Sequence, residues 1–125
     1  MKRANKILIL VTQADWGGVQ SFLVRFARQL KAEGREVLLA AGGEGELWAE
    51  AGKAGIPIRK LIHMTREIDL IEDWHAIGEL KELIEDFKPD AIHLNSSKMG
   101  VLGSFAAAHC PRIVYRIGGW SFLEP

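Results

Sequence analysis

Two short stretches of this 125-residue chain carry residue types that could do chemistry. One is Gln13-Ala14-Asp15-Trp16-Gly17-Gly18, which follows the apolar run Ile7 to Val11. The other is Asn95-Ser96-Ser97-Lys98, which follows Ala91-Ile92-His93-Leu94. Adjacent glycines at the start of a helix let the backbone approach a ligand closely. The free N–H groups and partial positive charge at that end suit a phosphate or a carboxylate. Ser96 and Ser97 can cap a following helix, Lys98 brings a positive charge, and His93 is a titratable group at a strand end. Each also has a plainer role: a glycine turn, an ordinary N-cap, a solvated first-turn lysine, a core histidine, and Asp15 and Trp16 as loop anchors. The stronger signal is their convergence on one place, which depends on the elements that hold them.

Ile7 to Val11 is a continuous apolar run, as expected of a strand buried on both faces. Val19, Phe22, Leu23, Phe26, Ala27 and Leu30 follow at helical spacing, which predicts an amphipathic helix over 19–33 ended by Gly34. A second strand is read over 36–41, a short helix over 47–54 stopped by Gly55, and a third strand over 56–62. Residues 63–72 give no clear pattern. Trp74, Ile77, Leu80, Ile84 and Phe87 then mark a helix with Asp73 as its N-cap and Pro89 beyond its end. The acidic run from Asp69 to Lys88 reads as a solvated helix face. A strand over 91–94, a helix over 98–109 rich in small residues and a strand over 112–117 complete the chain.

Strand–helix alternation implies an α/β domain with parallel strands, spanning 1–125 as one unit. Right-handed crossovers leave few topologies, and a Rossmann-like doubly wound sheet of five strands in the order 3-2-1-4-5 is the expected one. Ligands of such sheets bind beyond the carboxyl ends of the strands, where the order reverses. That crevice lies between strands one and four, which is where both stretches sit.

Composition narrows the function classes. Sixteen basic and sixteen acidic residues give zero net charge, against a nucleic-acid binder working by bulk phosphate neutralisation. Hydrophobic residues are 48% of the chain, ordinary for a globular domain and against disorder. The single cysteine, Cys110, excludes an intrachain disulfide and suits a reducing compartment. No apolar segment is long enough for a bilayer span, so a cytoplasmic location is expected. Lys53, Arg59, Lys60 and Arg66 make a faint basic cluster that leaves contact with a membrane surface open. Neither G-x-G-x-x-G nor a P-loop motif follows a strand. His63, His75, His93 and His109 show no metal-ligand spacing with carboxylates, and Ser21, Ser104 and Ser121 lack a nucleophile-elbow context.

Three segments together resemble a known family. KILILVTQADWGGVQSFLVRFARQLKAEGREVLLAAGGEGEL resembles the start of family 4 glycosyltransferases of the GT-B fold. KPDAIHLNSSKMGVLGSFAA is similar to that family's PDxxHxHxSKAGxLGRxAA-type segment, and RIVYRIGGWSFLEP to its VxYTxHGWxF-type strand and loop. The resemblance implies the N-terminal, acceptor-side half of a two-domain retaining transferase that moves a sugar from a nucleotide-sugar donor to a glycan or lipid-linked acceptor. It implies no metal and no cofactor, the nucleotide sugar being a substrate. By matching, Gly17 and Gly18 occupy the loop that approaches the donor phosphates. Asp15, Trp16, His93, Asn95, Ser96, Ser97, Lys98, Gly118 and Gly119 lie on the acceptor side or in the crevice. Two positions depart from the family pattern: Asn95 stands for the second histidine of H-x-H, and Gly118 for the histidine before Gly-Trp. No donor-binding half follows, so the chain reads as a fragment, a split subunit or a truncation, inactive alone. A stand-alone binding or interaction module that has lost catalysis is the second reading. A location at the inner face of the membrane is compatible with a lipid-linked acceptor. The fifth strand, carrying Ile113, Val114, Tyr115 and Ile117, and the tail residues Trp120, Phe122 and Leu123 are expected to present an apolar edge through which two chains pair.

Overall fold

The computed structural model describes residues 5–65, 67, 69–95, 97–106 and 113–116, with 97, 100, 104, 105 and 113–116 described by their backbone alone. Nine elements alternate along the chain: β1 (Lys6–Gln13), α1 (Gly18–Ala32), β2 (Glu36–Gly42), α2 (Glu46–Lys53), β3 (Ile58–Leu61), α3 (Leu70–Phe87), β4 (Ala91–Asn95), α4 (Ser97–Ala106) and β5 (Ile113–Arg116). All the strand pairs are parallel, in the order β3-β2-β1-β4-β5. The central strand β1 pairs with β2 through Ile7↔Val37 to Val11↔Ala41 and with β4 through Ile7↔Ala91 to Leu10↔Leu94.

Alternate side chains of β1 feed two separate cores. Ile7, Ile9 and Val11 pack with Val37, Leu39 and Ala41 beneath Leu23, Ala27 and Leu30 of α1 and Leu47 and Ala51 of α2. Leu8 and Leu10 pack with Leu38, Ile92 and Leu94 beneath Leu80 and Leu83 of α3 and Met99 and Leu102 of α4. Both faces of β1 are therefore covered, which is why its sequence is an unbroken apolar run. Leu8, Ile9 and Leu10 are completely buried, each contributing about 1.5–3 kcal/mol relative to exposure.

Several boundaries differ from the sequence reading, each for a local reason. The N-cap of α3 is Asp69, not Asp73: its Oδ1 accepts from the N–H groups of Ile71 and Glu72, both at 3.1 Å. Leu70, Ile71 and Trp74 point to solvent, so the first turns contribute little to the buried stripe that marks a helix in sequence. β1 runs on to Gln13, which pairs with Gly42 after a register shift beyond Val11. β3 is limited to four residues, because Ile56 N–H closes the end of α2 on Ala51 O, and Pro57 offers only its carbonyl, to Leu39 N–H. At the far end of α3, Lys88 adopts a left-handed conformation (φ 53°) before Pro89. Asp90 then accepts from the N–H groups of Asn5 and Lys6, both at 2.9 Å, joining the start of β4 to that of β1. Residues 107–112 and 117–125, including the tail expected to take part in pairing, lie outside the described residues.

Candidate functional site

The carboxyl ends of β1 and β4 lie side by side, and the loop after β1 leads straight into α1. Ala14 is buried and anchors that loop, its N–H donating to Gly42 O and its carbonyl accepting from Leu47 N–H. Beyond it, Asp15, Trp16 and Gly17 are exposed, Trp16 at 40%. Gly17 is the N-cap of α1 in extended conformation (φ −163°, ψ −170°), has no side chain of its own to cap the helix, and is followed by a first turn without acidic residues. The start of the helix carries a partial positive charge that no carboxylate of its own first turn offsets.

A cavity of about 360 Å³ opens here, lined by Thr12, Gln13, Asp15, Gly18, Gln20 and Lys98 together with apolar atoms of Val11 and Val19. It brings together Asp15, Gly18 and Lys98 from the two stretches singled out in the sequence. A side-chain carbon added at Gly18 would meet nothing within 4 Å. At Gly17 such an atom would meet Gln20 Oε1 at 3.2 Å, a tight contact with a side chain that can shift. Gln13, the first residue of its stretch, also lines the cavity, and sequence gives no role to Gln13, Thr12 or Gln20. Gln20 Nε2 donates to Gln13 O at 3.0 Å, and Gln13 Nε2 donates to Thr12 O and Met64 O, so the two amides brace the cavity wall. A polar residue at the end of an apolar strand was the available signal for Gln13.

Lys98 lines this cavity, but its ammonium group is directed to the other side. Nζ lies 2.8 Å from Asp73 Oδ1, with both side chains 14% exposed, and it donates to Thr65 O, Thr65 Oγ1 and Glu67 O. An ammonium has three donors, so its hydrogen-bonding capacity is taken up. Lys98 is a clamp from the first turn of α4 to α3 and to the loop before it, rather than a solvated lysine.

His93 and Asn95 project to the α1 side of the sheet and are buried, at 9% and 1% exposure. The His93 ring lies against Phe26, with centroids 5.1 Å apart. Asn95 Nδ2 donates to Leu10 O at 3.2 Å and to His93 Nδ1 at 2.9 Å, which makes Nδ1 the acceptor nitrogen of a neutral ring. The asparagine thereby ties β4 to β1 at their carboxyl ends. Its Oδ1 has no partner among the described residues. Ser96, Gly118 and Gly119 lie outside the described residues, as does the side chain of Ser97.

Comparison with known proteins bears on the family and the fold. The model of Glycosyltransferase Family 4 matches residues 16–121. Over 61 residues the chain is 38% identical to an Escherichia coli UDP-Gal:alpha-D-GlcNAc-diphosphoundecaprenol alpha-1,3-galactosyltransferase, an alignment covering 47% of this chain and 16% of that enzyme. A glycosyltransferase from Rickettsia africae superposes with a TM-score of 0.76 at 18% identity, over 91% of this chain and 30% of its own. Anabaena HepE, solved in complex with UDP-glucose, gives 0.70 at 20% identity, over 90% of this chain and 29% of its own. At these identities the two structures share the fold, and the chain spans less than a third of the length of either.

Proposed function

The chain belongs to glycosyltransferase family 4, and on that premise we propose that it forms the N-terminal, acceptor-side half of an enzyme that transfers a sugar from a nucleotide-sugar donor. The donor is a uridine diphosphate sugar and the acceptor a glycan carried on a lipid diphosphate. The name of the Escherichia coli relative and the ligand of the Anabaena structure support these classes. The observation that carries the reading is the open N-terminus of α1. Gly17 and Gly18 bring no side chain of their own to it, no acidic residue lies in the first turn of the helix, and a cavity of about 360 Å³ stands in front.

The chemistry follows from that placement. Transfer breaks the bond between the sugar's anomeric carbon and the donor diphosphate, so negative charge grows on the departing phosphate oxygen. N–H groups fixed at a helix start stabilise such charge without reorganising during the reaction. Gln13 and Gln20 hold the wall of the cavity, Asp15 lines it, and Trp16, next along the same loop, is exposed, so that an acceptor sugar can lie against its indole face. Asn95 stands where the family pattern has a histidine. Its two amide hydrogens are committed to Leu10 and His93, so its part is to fix the strand ends beneath the crevice. A second, donor-holding domain would close the cleft and exclude water, with retention at the anomeric carbon. Among the described residues no helix is long and apolar enough to cross a membrane; the lipid-linked acceptor would be met at the membrane's inner face.

The test is Gly18→Val in the enzyme formed with a donor-binding half. The added Cβ meets nothing within 4 Å, so the thermal midpoint should hold. Misplacement of the diphosphate by about 1 Å should reduce sugar transfer about 100-fold. Transfer at the unsubstituted rate would refute the assignment of this loop.

A further inference from the structure

Away from the crevice, α3 and the loop after β3 bring together three side chains that the sequence keeps apart. Glu72 and His75 stand one turn apart on α3, and His63 faces them from the loop. His63 Nδ1 lies 3.0 Å from Glu72 Oε2, and the rings of His63 and His75 meet edge to face with centroids 5.0 Å apart. One ligating atom from each of the three residues lies within 4.8 Å of the other two.

The loop bearing His63 is held before any ion arrives. Glu79, one turn further along α3, accepts from Ile62 N–H at one carboxylate oxygen (2.6 Å) and from His63 N–H at the other (2.9 Å). His63 and His75 line an open cleft of about 550 Å³, so an ion and its waters have access. A His–Glu hydrogen bond alone needs no second imidazole beside it. Two imidazoles and one carboxylate are a nitrogen-rich set that suits zinc, nickel or copper rather than magnesium or calcium. Bonds of about 2.0–2.1 Å to a tetrahedral zinc place the ligand atoms about 3.3 Å apart. Small side-chain rotations on this accessible surface close the present spacing to that value. Three protein ligands leave a fourth position for water.

We propose that His63, Glu72 and His75 form a binding site for one zinc-class divalent ion. Bound there, the ion ties the loop after β3 to α3. Thr65 and Glu67 of the same segment accept from Lys98, so occupancy stiffens the support behind the crevice. The site is independent of the sugar-transfer reading and is tested without reference to activity. Tag-free chain is titrated with Zn²⁺ by calorimetry, and with Co²⁺ by visible absorption, which reports tetrahedral nitrogen–oxygen coordination. One Zn²⁺ per chain is expected. His63→Ala and His75→Ala should each weaken it at least about 100-fold and abolish the Co²⁺ bands, with far-ultraviolet circular dichroism unchanged. Cys110→Ser should leave both signals intact. Absence of Zn²⁺ uptake by the unsubstituted chain, or uptake indifferent to both histidine substitutions, overturns the proposal.

Discussion

Replacing Lys98 with methionine keeps the alkyl stem and removes the ammonium group. Asp73 would then keep its charge at 14% exposure without its cation. Breaking a fully buried ion pair by deleting one partner costs about 3–5 kcal/mol, whereas an exposed pair contributes about 0–1 kcal/mol. This pair lies near the buried limit, but Thr65 is only half-buried and Glu67 is exposed, so water can replace the lysine at their carbonyls. A loss of about 2.5 kcal/mol is expected, a large share of the 5–15 kcal/mol typical of a domain. At about 4 °C per kcal/mol for a chain of this size, the thermal midpoint should fall by about 10 °C. Urea unfolding with linear extrapolation measures the loss directly. Asp73→Asn alone should cost less, because Lys98 keeps its neutral acceptors. The double variant should show a coupling of about 1–2 kcal/mol between the two positions. A loss below about 1 kcal/mol with no coupling would refute the clamp. A variant of full stability with lost nucleotide-sugar affinity would return Lys98 to the ligand site.

Other outcomes follow from single observations. Gly42→Ala sets a carbon 2.2 Å from Met64 O, so a backbone must move, and urea unfolding should show a loss above about 2 kcal/mol. Gly78→Ala, inside α3 with open space around it, should instead stabilise by about 1 kcal/mol in the same assay. Asp69→Ala removes the cap from Ile71 and Glu72 and should cost about 1 kcal/mol, with faster hydrogen exchange confined to the start of α3. Asn95→Ala strips Leu10 O and His93 Nδ1 of a donor in a buried place. It should cost about 2 kcal/mol, and a loss within error of zero would mean that water or another group takes over.

The parts of the fold that sequence made legible are those where one element decides its own pattern. β1 is apolar without alternation because α1 and α2 cover one face and α3 and α4 the other. Gly34 and Gly55 close helices at positive φ (86° and 71°), which glycine adopts without strain, so those ends could be placed from residue type. The start of α3 could not, because Leu70, Ile71 and Trp74 are apolar yet exposed. Nor did the acidic character of α3 reveal its division of labour. Asp73 faces Lys98, Glu79 holds the loop after β3, and Glu72 faces His63. In each case the partner is distant in the chain, and charge patterning along one helix carries no information about it.

The crevice itself was legible for a topological reason: a parallel sheet whose order reverses beside its first strand brings the loops after strands one and four together, whatever their residues. Residue type alone then misleads about what each does there. Glycines stand at or just beyond the ends of both β1 and β2 on this side of the sheet, and in sequence they look alike. At Gly42 and Gly45 an added carbon would lie 2.2 Å from Met64 O and 2.3 Å from Ala14 O, so the packing of the loops requires glycine. Gly17 is extended, a conformation open to any residue, and Gly18 borders empty space. Neither packing nor backbone geometry calls for glycine at Gly18. The same is true of Lys98 in reverse: it looks like a ligand's counter-charge, but Asp73, Thr65 and Glu67 account for it fully. Folding therefore explains the lysine and leaves the glycine unexplained. On the proposed function, the helix start at Gly17 and Gly18, rather than the nearby cation, is where an anionic ligand would act on this domain.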